Sequence, residues 1–217
     1  MNYITTVGLG IVVTNGGARI EDCYLDTVPL VLNMSGGIGS HLLVTGNLFL
    51  KNASVILSAP RWRHNATTTG VNGLVITDNI FSCKDNPSFG SCEREAVVLD
   101  ETGSRFGSVR NTKMEDNRVD NDAGYRSTRA RRTVRVKDSS SVLLDFSHDL
   151  LFPSAALING SAICTLINGD PVSHSLRLGP DTSSGLTSLQ LRVDFGQAWS
   201  GRVQCTVDQS EYSQCAL

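Results

Sequence analysis

The sequence has no long apolar run, few aromatic residues and no excess of charge of either sign. The longest apolar stretch near its start, Tyr3 to Val13, is interrupted by glycines and is shorter than the roughly 20 residues that a membrane-spanning helix needs. A formal net charge of −2 argues against nucleic acid or an anionic membrane as a partner. Long stretches with helical apolar spacing are also missing, which excludes a helical bundle.

Glycine is abundant instead, with 20 residues, and Ser, Thr, Asn and Val recur throughout. This composition is typical of many short strands joined by turns. A chain of 217 residues is long enough to bury a sizeable core. The sequence therefore predicts an all-β protein.

Several features predict a secreted protein of the extracellular space or cell wall. Six cysteines make an even count, and Cys83 and Cys92 enclose a short loop that favours a disulfide. Glycosylation is predicted at four Asn-x-Ser/Thr sites: Asn33, Asn52, Asn65 and Asn159. The first residues do not resemble a signal peptide. The chain is therefore expected to be a fragment of a longer secreted protein.

Four segments share one pattern, in which an apolar and a polar residue precede Gly or Asp, then Asn or Cys, any residue and an apolar one. They are Ile20 to Leu25, Val44 to Phe49, Ile76 to Phe81 and Met114 to Val119. The offsets between them are 24, 32 and 38 residues. Such a repeat predicts stacked β turns, with a right-handed parallel β-helix over residues 1–121 and surface insertions in the longer repeats.

The Asp/Gly-Asn step of the repeat is interpreted as a bend between two sheets. One residue at each bend is expected to take a left-handed conformation, which Asn tolerates. Stacked Asn47, Asn79 and Asn117 side chains would bond to one another and to neighbouring backbone. Cys23, at the equivalent place in the first repeat, would end this ladder.

Residues 122–217 alternate apolar with polar residues over four segments, as strands with one exposed face do. These segments are residues 133–136, 141–146, 189–195 and 202–207, with turns predicted at Asn168 to Asp170 and at Ser200-Gly201. The pattern predicts an antiparallel sheet or small sandwich that caps the β-helix. Cys164 with Cys205 is the preferred second disulfide, and Cys205 with Cys215 is the alternative.

Two segments of this tail carry a resemblance: Asp145 to Pro153, DFSHDLLFP, and Thr206 to Ser210, TVDQS. Together with the β-helix repeat, they resemble the C-terminal part of plant polygalacturonases of the quartet type, a group of pectin-degrading glycoside hydrolases. The resemblance implies secretion, a homogalacturonan substrate and inverting hydrolysis by paired carboxylates. The N-T-D, D-D and G-H-G motifs typical of polygalacturonases are absent, so this chain is expected to be a fragment that lacks some or all of the catalytic turns.

Asp22, Asp78 and Asp116 occupy equivalent places in three of the four repeats, with Gly46 in the fourth. They are the candidate catalytic carboxylates, and the alternative is that they only shape the bends. Asp100 and Glu101 are a second pair of this kind. Substrate binding is assigned to an inserted loop in which an indole can stack on a sugar and cations can pair with a uronate: Arg61, Trp62, Arg63 and His64.

A basic run from Arg126 to Lys137 alternates in part with Val134 and Val136. Its arginines either grip galacturonate carboxylates or form an exposed strand face. Histidine and cysteine spacing predicts no metal site, and no cofactor is expected. The predicted function is polygalacturonase-like action on pectin by a monomer, and the alternative is a non-catalytic carbohydrate-binding or adhesive module.

Overall fold

The computed structural model of the chain describes residues 2–5, 10–14, 17–34, 41–51, 53–59, 68–82, 95–120, 125–152, 162–167, 177–180, 189–210 and 212–213. Every regular element within these ranges is a β-strand, so the all-β prediction is confirmed. The first fifteen strands, in chain order, are β1 (Asn2–Thr5), β2 (Ile11–Thr14), β3 (Ala18–Glu21), β4 (Cys23–Asp26), β5 (Leu30–Asn33), β6 (Leu42–Thr45), β7 (Leu48–Leu50), β8 (Val55–Ser58), β9 (Thr68–Asn72), β10 (Leu74–Thr77), β11 (Ile80–Ser82), β12 (Val97–Asp100), β13 (Arg105–Arg110), β14 (Lys113–Glu115) and β15 (Arg118–Asp120).

Thirteen of these strands form three parallel sheets. The first sheet has the order β1-β4-β7-β11-β15, the second β2-β5-β8-β12 and the third β3-β6-β10-β14. The chain enters the first, second and third sheets in this order in every repeat. The two remaining strands, β9 and β13, pair with each other in parallel. Along the chain, each follows a strand of the second sheet and precedes a strand of the third.

The register of these sheets follows the sequence repeat. In the third sheet Ile20 pairs with Val44, Val44 with Ile76 and Ile76 with Met114. In the first sheet the last apolar residue of each segment is aligned in the same way, through Leu25, Phe49, Phe81 and Val119. The offsets of 24, 32 and 38 residues are therefore the step from one strand to its parallel neighbour.

The core of the parallel sheets is made by the side chains that point inward at every second strand position. Leu25 and Ile76 are completely buried, and the rings of Phe49 and Phe81 stack with their centroids 4.6 Å apart. Burial of an aliphatic or aromatic side chain of this size contributes about 1.5–3 kcal/mol. Each repeat buries its apolar face against the next, so the core grows by stacking.

The structure describes only part of the insertions in the longer repeats. The inserted segments at residues 60–67 and 83–94 lie outside the described residues. Thr68 to Gly70, which follow the predicted inserted loop of Arg61 to His64, begin strand β9. The β-branched Thr68 and Thr69 favour an extended conformation, and β13 supplies the hydrogen-bonding partner that a loop lacks.

The C-terminal part is an antiparallel sheet built on two long strands. Its strands are β16 (Arg129–Asp145), β17 (Ala162–Ile167), β18 (Arg177–Pro180) and β19 (Gln190–Asp208), and a short β20 (Tyr212–Ser213) pairs with β13 instead. Strand β19 pairs with β16 along one edge and with β17 and β18 along the other. The prediction of an antiparallel sheet is confirmed, and so is the Cys164–Cys205 disulfide, which joins β17 to β19.

The turn predicted at Ser200-Gly201 is wrong, because both residues lie inside β19. The four predicted segments are joined in pairs into two strands, and the register shifts between Val136 and Ser141. Asp138 has a φ of 46° there, and its N–H donates to the Ser200 hydroxyl oxygen at 2.8 Å. The bulge places Lys137 and Asp138 of β16 opposite Ser200 alone, whereas Gly201 pairs with Val136, so β19 continues through the predicted turn.

The segment from Phe146 to Phe152 connects the two parts of the fold. Phe146 and Leu150 belong to the core of the antiparallel sheet, whereas Leu151 and Phe152 belong to the core of the parallel sheets. The Phe152 ring meets Phe106 edge-on, with the ring centroids 5.8 Å apart. A short run of sequence thereby anchors the antiparallel sheet to the stacked strands.

Gln209 holds this connection in place. Its side chain is buried, accepts a hydrogen bond from the Phe152 N–H at 3.1 Å and donates one to the Phe152 carbonyl oxygen at 2.9 Å. The Gln209 N–H donates to the Thr128 carbonyl oxygen at 2.7 Å. The two sequence segments that carry the family resemblance therefore meet at one amide.

Replacing Gln209 by alanine is expected to lower the free energy of unfolding by about 2–3 kcal/mol, because it leaves the buried N–H and carbonyl oxygen of Phe152 without partners. Urea denaturation monitored by tryptophan fluorescence measures this change. Gln204→Ala is the matched control, since the Gln204 amide only donates to the exposed Thr133 hydroxyl. An equal loss in both variants contradicts the proposed role of Gln209.

Candidate functional site

Three asparagines form a ladder along the bend between the third and first sheets, in which Asn47 and Asn79 are buried and Asn117 is partly buried. Asn47 donates from its side-chain Nδ2 to Asn79 Oδ1 at 2.9 Å, and Asn79 donates in the same way to Asn117 Oδ1 at 2.9 Å. The Asn47 and Asn79 backbone N–H groups donate to the same oxygens, each at 3.1 Å. Cys23 ends the ladder, because its N–H donates to Asn47 Oδ1 but its thiol offers no equivalent oxygen.

The left-handed conformation belongs to the residue before each asparagine, not to the asparagine itself. Asp22, Gly46, Asp78 and Asp116 have φ values of 50°, 65°, 56° and 57°. The asparagines have negative φ, which directs their amides inward to the neighbouring strand. Because Asp and Gly both tolerate the left-handed region, their alternation in the repeat follows from the backbone.

The candidate catalytic carboxylates Asp22, Asp78 and Asp116 therefore lie in one column on the outside of this bend. All three are exposed. Strands of a sheet lie about 4.8 Å apart, so Asp78 and Asp116 are one step apart, whereas Gly46 separates Asp22 from Asp78. A Cβ at Gly46 would approach Asp22 Oδ1 to 2.8 Å, so glycine leaves room for that carboxylate.

Local bonds hold two of these carboxylates. Asp78 Oδ2 accepts a hydrogen bond from the Thr77 hydroxyl at 3.1 Å. Asp116 Oδ2 lies 3.7 Å from Lys113 Nζ. Such contacts are those of ordinary turn residues, and they leave each carboxylate accessible from outside.

Asp116 borders an open cleft, which lies where the last repeat meets the antiparallel sheet. Its volume is about 350 Å³. The cleft is lined by Glu115, Asp116, Tyr125, Ser127, Arg129, Ala130, Arg131 and Thr206. Two acidic and two arginine residues thus line a space with the size of a small ligand site.

Tyr125 sits at the floor of the cleft, where the asparagine ladder ends. Its phenol oxygen accepts a hydrogen bond from Asn117 Nδ2 at 3.2 Å. Burial raises the pKa of Tyr125 above its usual range, the hydrogen bond from Asn117 opposes this, and the charges of Asp116 and Glu115 raise it further. The phenol therefore stays protonated at neutral pH and can donate a hydrogen bond into the cleft.

The arginines of the cleft come from the basic run. Arg129 and Arg131 project from the exposed side of β16, and neither forms a salt bridge within the described part of the chain. Other members of the run are paired: Arg126 with Glu95 at 2.6 Å, and Arg132 with Asp149. The sequence pattern alone does not divide this run. In the structure, Arg132 points to the opposite side of β16 from Arg129 and Arg131, so the run contains both paired and unpaired arginines.

Several predicted site residues fall outside the described residues. They are Arg61, Trp62, Arg63, His64, the Cys83–Cys92 pair and the glycosylation sites Asn52, Asn65 and Asn159. Asn33 is described and ends strand β5, partly exposed. The substrate-binding role of the Trp62 loop stays a prediction.

The second carboxylate pair, Asp100 and Glu101, is bound into its own turn. A hydrogen bond from the Thr102 hydroxyl lowers the pKa of Asp100, and the Ser58 hydroxyl adds to this at 3.0 Å. Glu101 Oε1 accepts a hydrogen bond from the Phe106 N–H at 2.8 Å. A lowered pKa suits a structural carboxylate better than a general acid.

Cleft residues such as Tyr125, Ser127 and Thr206 were missed by sequence reasoning. Tyr125 and Ser127 lie just before β16, whereas Thr206 lies in β19, and no spacing rule connects the two places. The signal that did exist was the adjacency of Glu115 and Asp116 at the last repeat, just before the basic run.

Comparison with protein-family models, with curated proteins and with solved structures finds no match to this chain. Within the described residues there is no helix long and apolar enough to cross a membrane. The same residues contain no group of three or more His, Cys, Asp or Glu side chains placed to hold a metal ion.

Proposed function

We propose that this chain is a polygalacturonase-like protein that acts on cell-wall homogalacturonan. The proposal includes a right-handed parallel β-helix, which is supported by three parallel sheets that the chain visits in a fixed order. The aligned repeat and the asparagine ladder are consistent with that architecture. Secretion is part of the proposal and is supported by the Cys164–Cys205 disulfide.

The observation that carries the proposal is the chemistry of the cleft. A galacturonate residue has one carboxylate and several hydroxyl groups. Arg129 and Arg131 offer planar guanidinium groups that pair with a carboxylate. Ser127, Thr206 and the Tyr125 phenol offer hydrogen-bond partners for hydroxyl groups. A polyuronate therefore matches the cleft better than a neutral glycan does.

Hydrolysis with inversion requires two carboxyl groups about 6.5–9.5 Å apart, one that protonates the leaving oxygen and one that takes a proton from the attacking water. Asp116 is the proposed carboxylate at the cleft. Glu115 is one candidate partner. Asp78 is the other: its backbone lies one strand spacing, about 4.8 Å, along the column, so its carboxylate would have to point away from that of Asp116 to reach the required separation. A bound uronate would bring the glycosidic bond beside Asp116 if its carboxylate pairs with Arg129 or Arg131.

A carbohydrate-binding module without catalysis is the second candidate. The observation that favours it is the exposure of Asp22, Asp78 and Asp116, because a general acid of this type usually has its pKa raised by burial. Asp116 Oδ2 also lies 3.7 Å from Lys113 Nζ, which is the contact of an ordinary surface ion pair. In this case the cleft holds the polyuronate and leaves cleavage to another protein.

Release of reducing ends from polygalacturonate distinguishes the two functions. Asp116→Asn is expected to lower kcat at least about 100-fold, as the loss of an acid or base does. Asp194→Asn is the control, since Asp194 pairs with Arg192 on the antiparallel sheet, and its kcat should not change. Binding of polygalacturonate without any turnover supports the module, and absence of binding refutes both functions.

A further inference from the structure

The outer face of the antiparallel sheet carries a line of cations that extends beyond the cleft. Arg129, Arg131, Arg135 and Lys137 alternate along β16 with residues that point inward. Arg202 of β19 lies directly opposite Arg135. All five side chains are exposed, and this set is called the cationic face below.

The described part of the protein holds few carboxylates close to these charges, and Glu115 and Asp116 are the two that line the cleft with Arg129 and Arg131. None of the five cations takes part in a salt bridge there, although Arg132 on the opposite side of the same strand pairs with Asp149. Asp208, opposite Arg129, and Asp138, next to Lys137, are the nearby carboxylates in the strand pairing and sequence. Placing Arg135 opposite Arg202 costs stability through like-charge repulsion, so the arrangement needs a reason beyond folding.

The neutral residues of the face point to a sugar polymer. Thr206, Gln204 and Thr165 lie between or beside the cations in the strand register, and they offer hydroxyl and amide groups. Ile163, on the adjacent strand β17, is 71% exposed and provides an apolar surface for the C–H face of a sugar ring. Single-stranded nucleic acid would require stacking aromatics, and Trp199, the described tryptophan of the sheet, is buried.

The cationic face continues into the cleft. Arg129 and Arg131 belong to both, and Thr206 of β19, which lies opposite Arg131, also lines the cleft. Alternate residues of a strand are about 6.7 Å apart, so the side chains from Arg129 to Lys137 extend over about 27 Å. This length exceeds a single sugar and suits a chain of several sugars with one carboxylate each.

We propose that the cationic face docks a linear polyuronate and leads one end of it into the cleft beside Asp116. The proposal rests on the proposed function for the identity of the sugar. It adds that affinity depends on chain length, because carboxylates beyond the cleft pair with Arg135, Lys137 and Arg202. Such pairing is sensitive to salt, since the cations are exposed.

Isothermal titration with galacturonate oligomers of three and twelve units tests the proposal on the full chain. The twelve-unit oligomer is expected to bind more tightly than the three-unit oligomer. Arg135→Gln/Arg202→Gln should weaken binding of the twelve-unit oligomer about three- to tenfold, the size of two exposed charge pairs. It should leave binding of the three-unit oligomer unchanged.

Two further variants test whether the position of the charges matters, rather than the net charge. Arg105→Gln/Arg110→Gln removes two exposed arginines of β13, so it lowers the net charge equally and should leave both affinities unchanged. Arg135→Lys/Arg202→Lys keeps the charge and should retain most of the length dependence. An equal loss in the β13 variant would mean a general charge effect and would overturn the proposal.

The outcomes also separate this proposal from the proposed function. If both oligomers bind equally well, the cationic face does not dock polyuronate, and the cleft assignment stands. If neither oligomer binds, the proposed function fails and the docking proposal fails with it. Tighter binding of the wild-type protein to single-stranded DNA, or to vesicles of phosphatidylserine, would assign the face to another class of polyanion and overturn the proposal.

Discussion

Replacing Asn79 by alanine is expected to lower the free energy of unfolding by about 4 kcal/mol, because several buried polar groups lose their partners at once. The Asn79 side chain is fully buried. Its Oδ1 accepts from the Asn47 backbone N–H and from Asn47 Nδ2, and its Nδ2 donates to the Val44 carbonyl oxygen at 2.9 Å. The middle position in the ladder makes this the most damaging of the three asparagines to remove.

Two further variants serve as controls for this prediction. Asn72→Ala removes an asparagine that only accepts an exposed hydrogen bond from Asn111 Nδ2, and it should cost less than about 1 kcal/mol. Asn79→Asp keeps the acceptor oxygen but removes the donor and should be nearly as damaging as alanine. Chemical denaturation gives all three values, and a loss below about 1 kcal/mol for Asn79→Ala would show that the ladder is dispensable.

Removal of the Cys164–Cys205 disulfide is expected to cost about 4 kcal/mol, the loop-closure value for a separation of this length. The two cysteines are 41 residues apart in sequence and occupy paired positions of β17 and β19. Their loop contains β18, which depends on β19 for its hydrogen bonds. The unfolded chain without the bridge gains the freedom of that whole loop, so the native sheet becomes less stable.

The double variant Cys164→Ala/Cys205→Ala is a cleaner test than a reducing agent, which acts on every disulfide. Its urea midpoint is compared with that of Cys23→Ala, which removes the buried free thiol of Cys23 and should cost only about 1 kcal/mol. Peptide mapping without reduction locates the bridge directly. A Cys205–Cys215 peptide in place of Cys164–Cys205 would contradict the pairing.

The repeat was predictable because side chains alternate between the two faces of a strand. The apolar positions of paired strands must therefore align. Ile20, Val44, Ile76 and Met114 align in the third sheet, as their positions in the repeat indicate. A slip of one residue would turn every apolar side chain outward, so the pattern is strongly specified. The same reasoning located the ladder asparagines, since each follows the bend at a fixed distance.

The predictions that failed concern places where neighbours override local signals. Ser200-Gly201 has the composition of a turn, but Gly201 pairs with Val136 of β16 and Ser200 lies opposite a bulge in β16, so both residues stay within β19. Asp78 and its equivalents take the left-handed conformation. The asparagines that follow them do not, because their amides bond to one another along the ladder. A sequence offers both residues for the bend and does not indicate which one takes it.

The sequence alone determined the strand content, the repeat and the alternation of inward and outward residues, because these depend on short-range periodicity and on apolar burial. Only the tertiary structure decided that Asp116, Tyr125 and Arg129 share one cleft. The tertiary structure also separates the arginines of the basic run: strand pairing places Arg135 beside Arg202, whereas Arg132 forms a salt bridge with Asp149. Such groupings join residues that are distant in the chain, and they arise only when the antiparallel sheet packs against the last repeat.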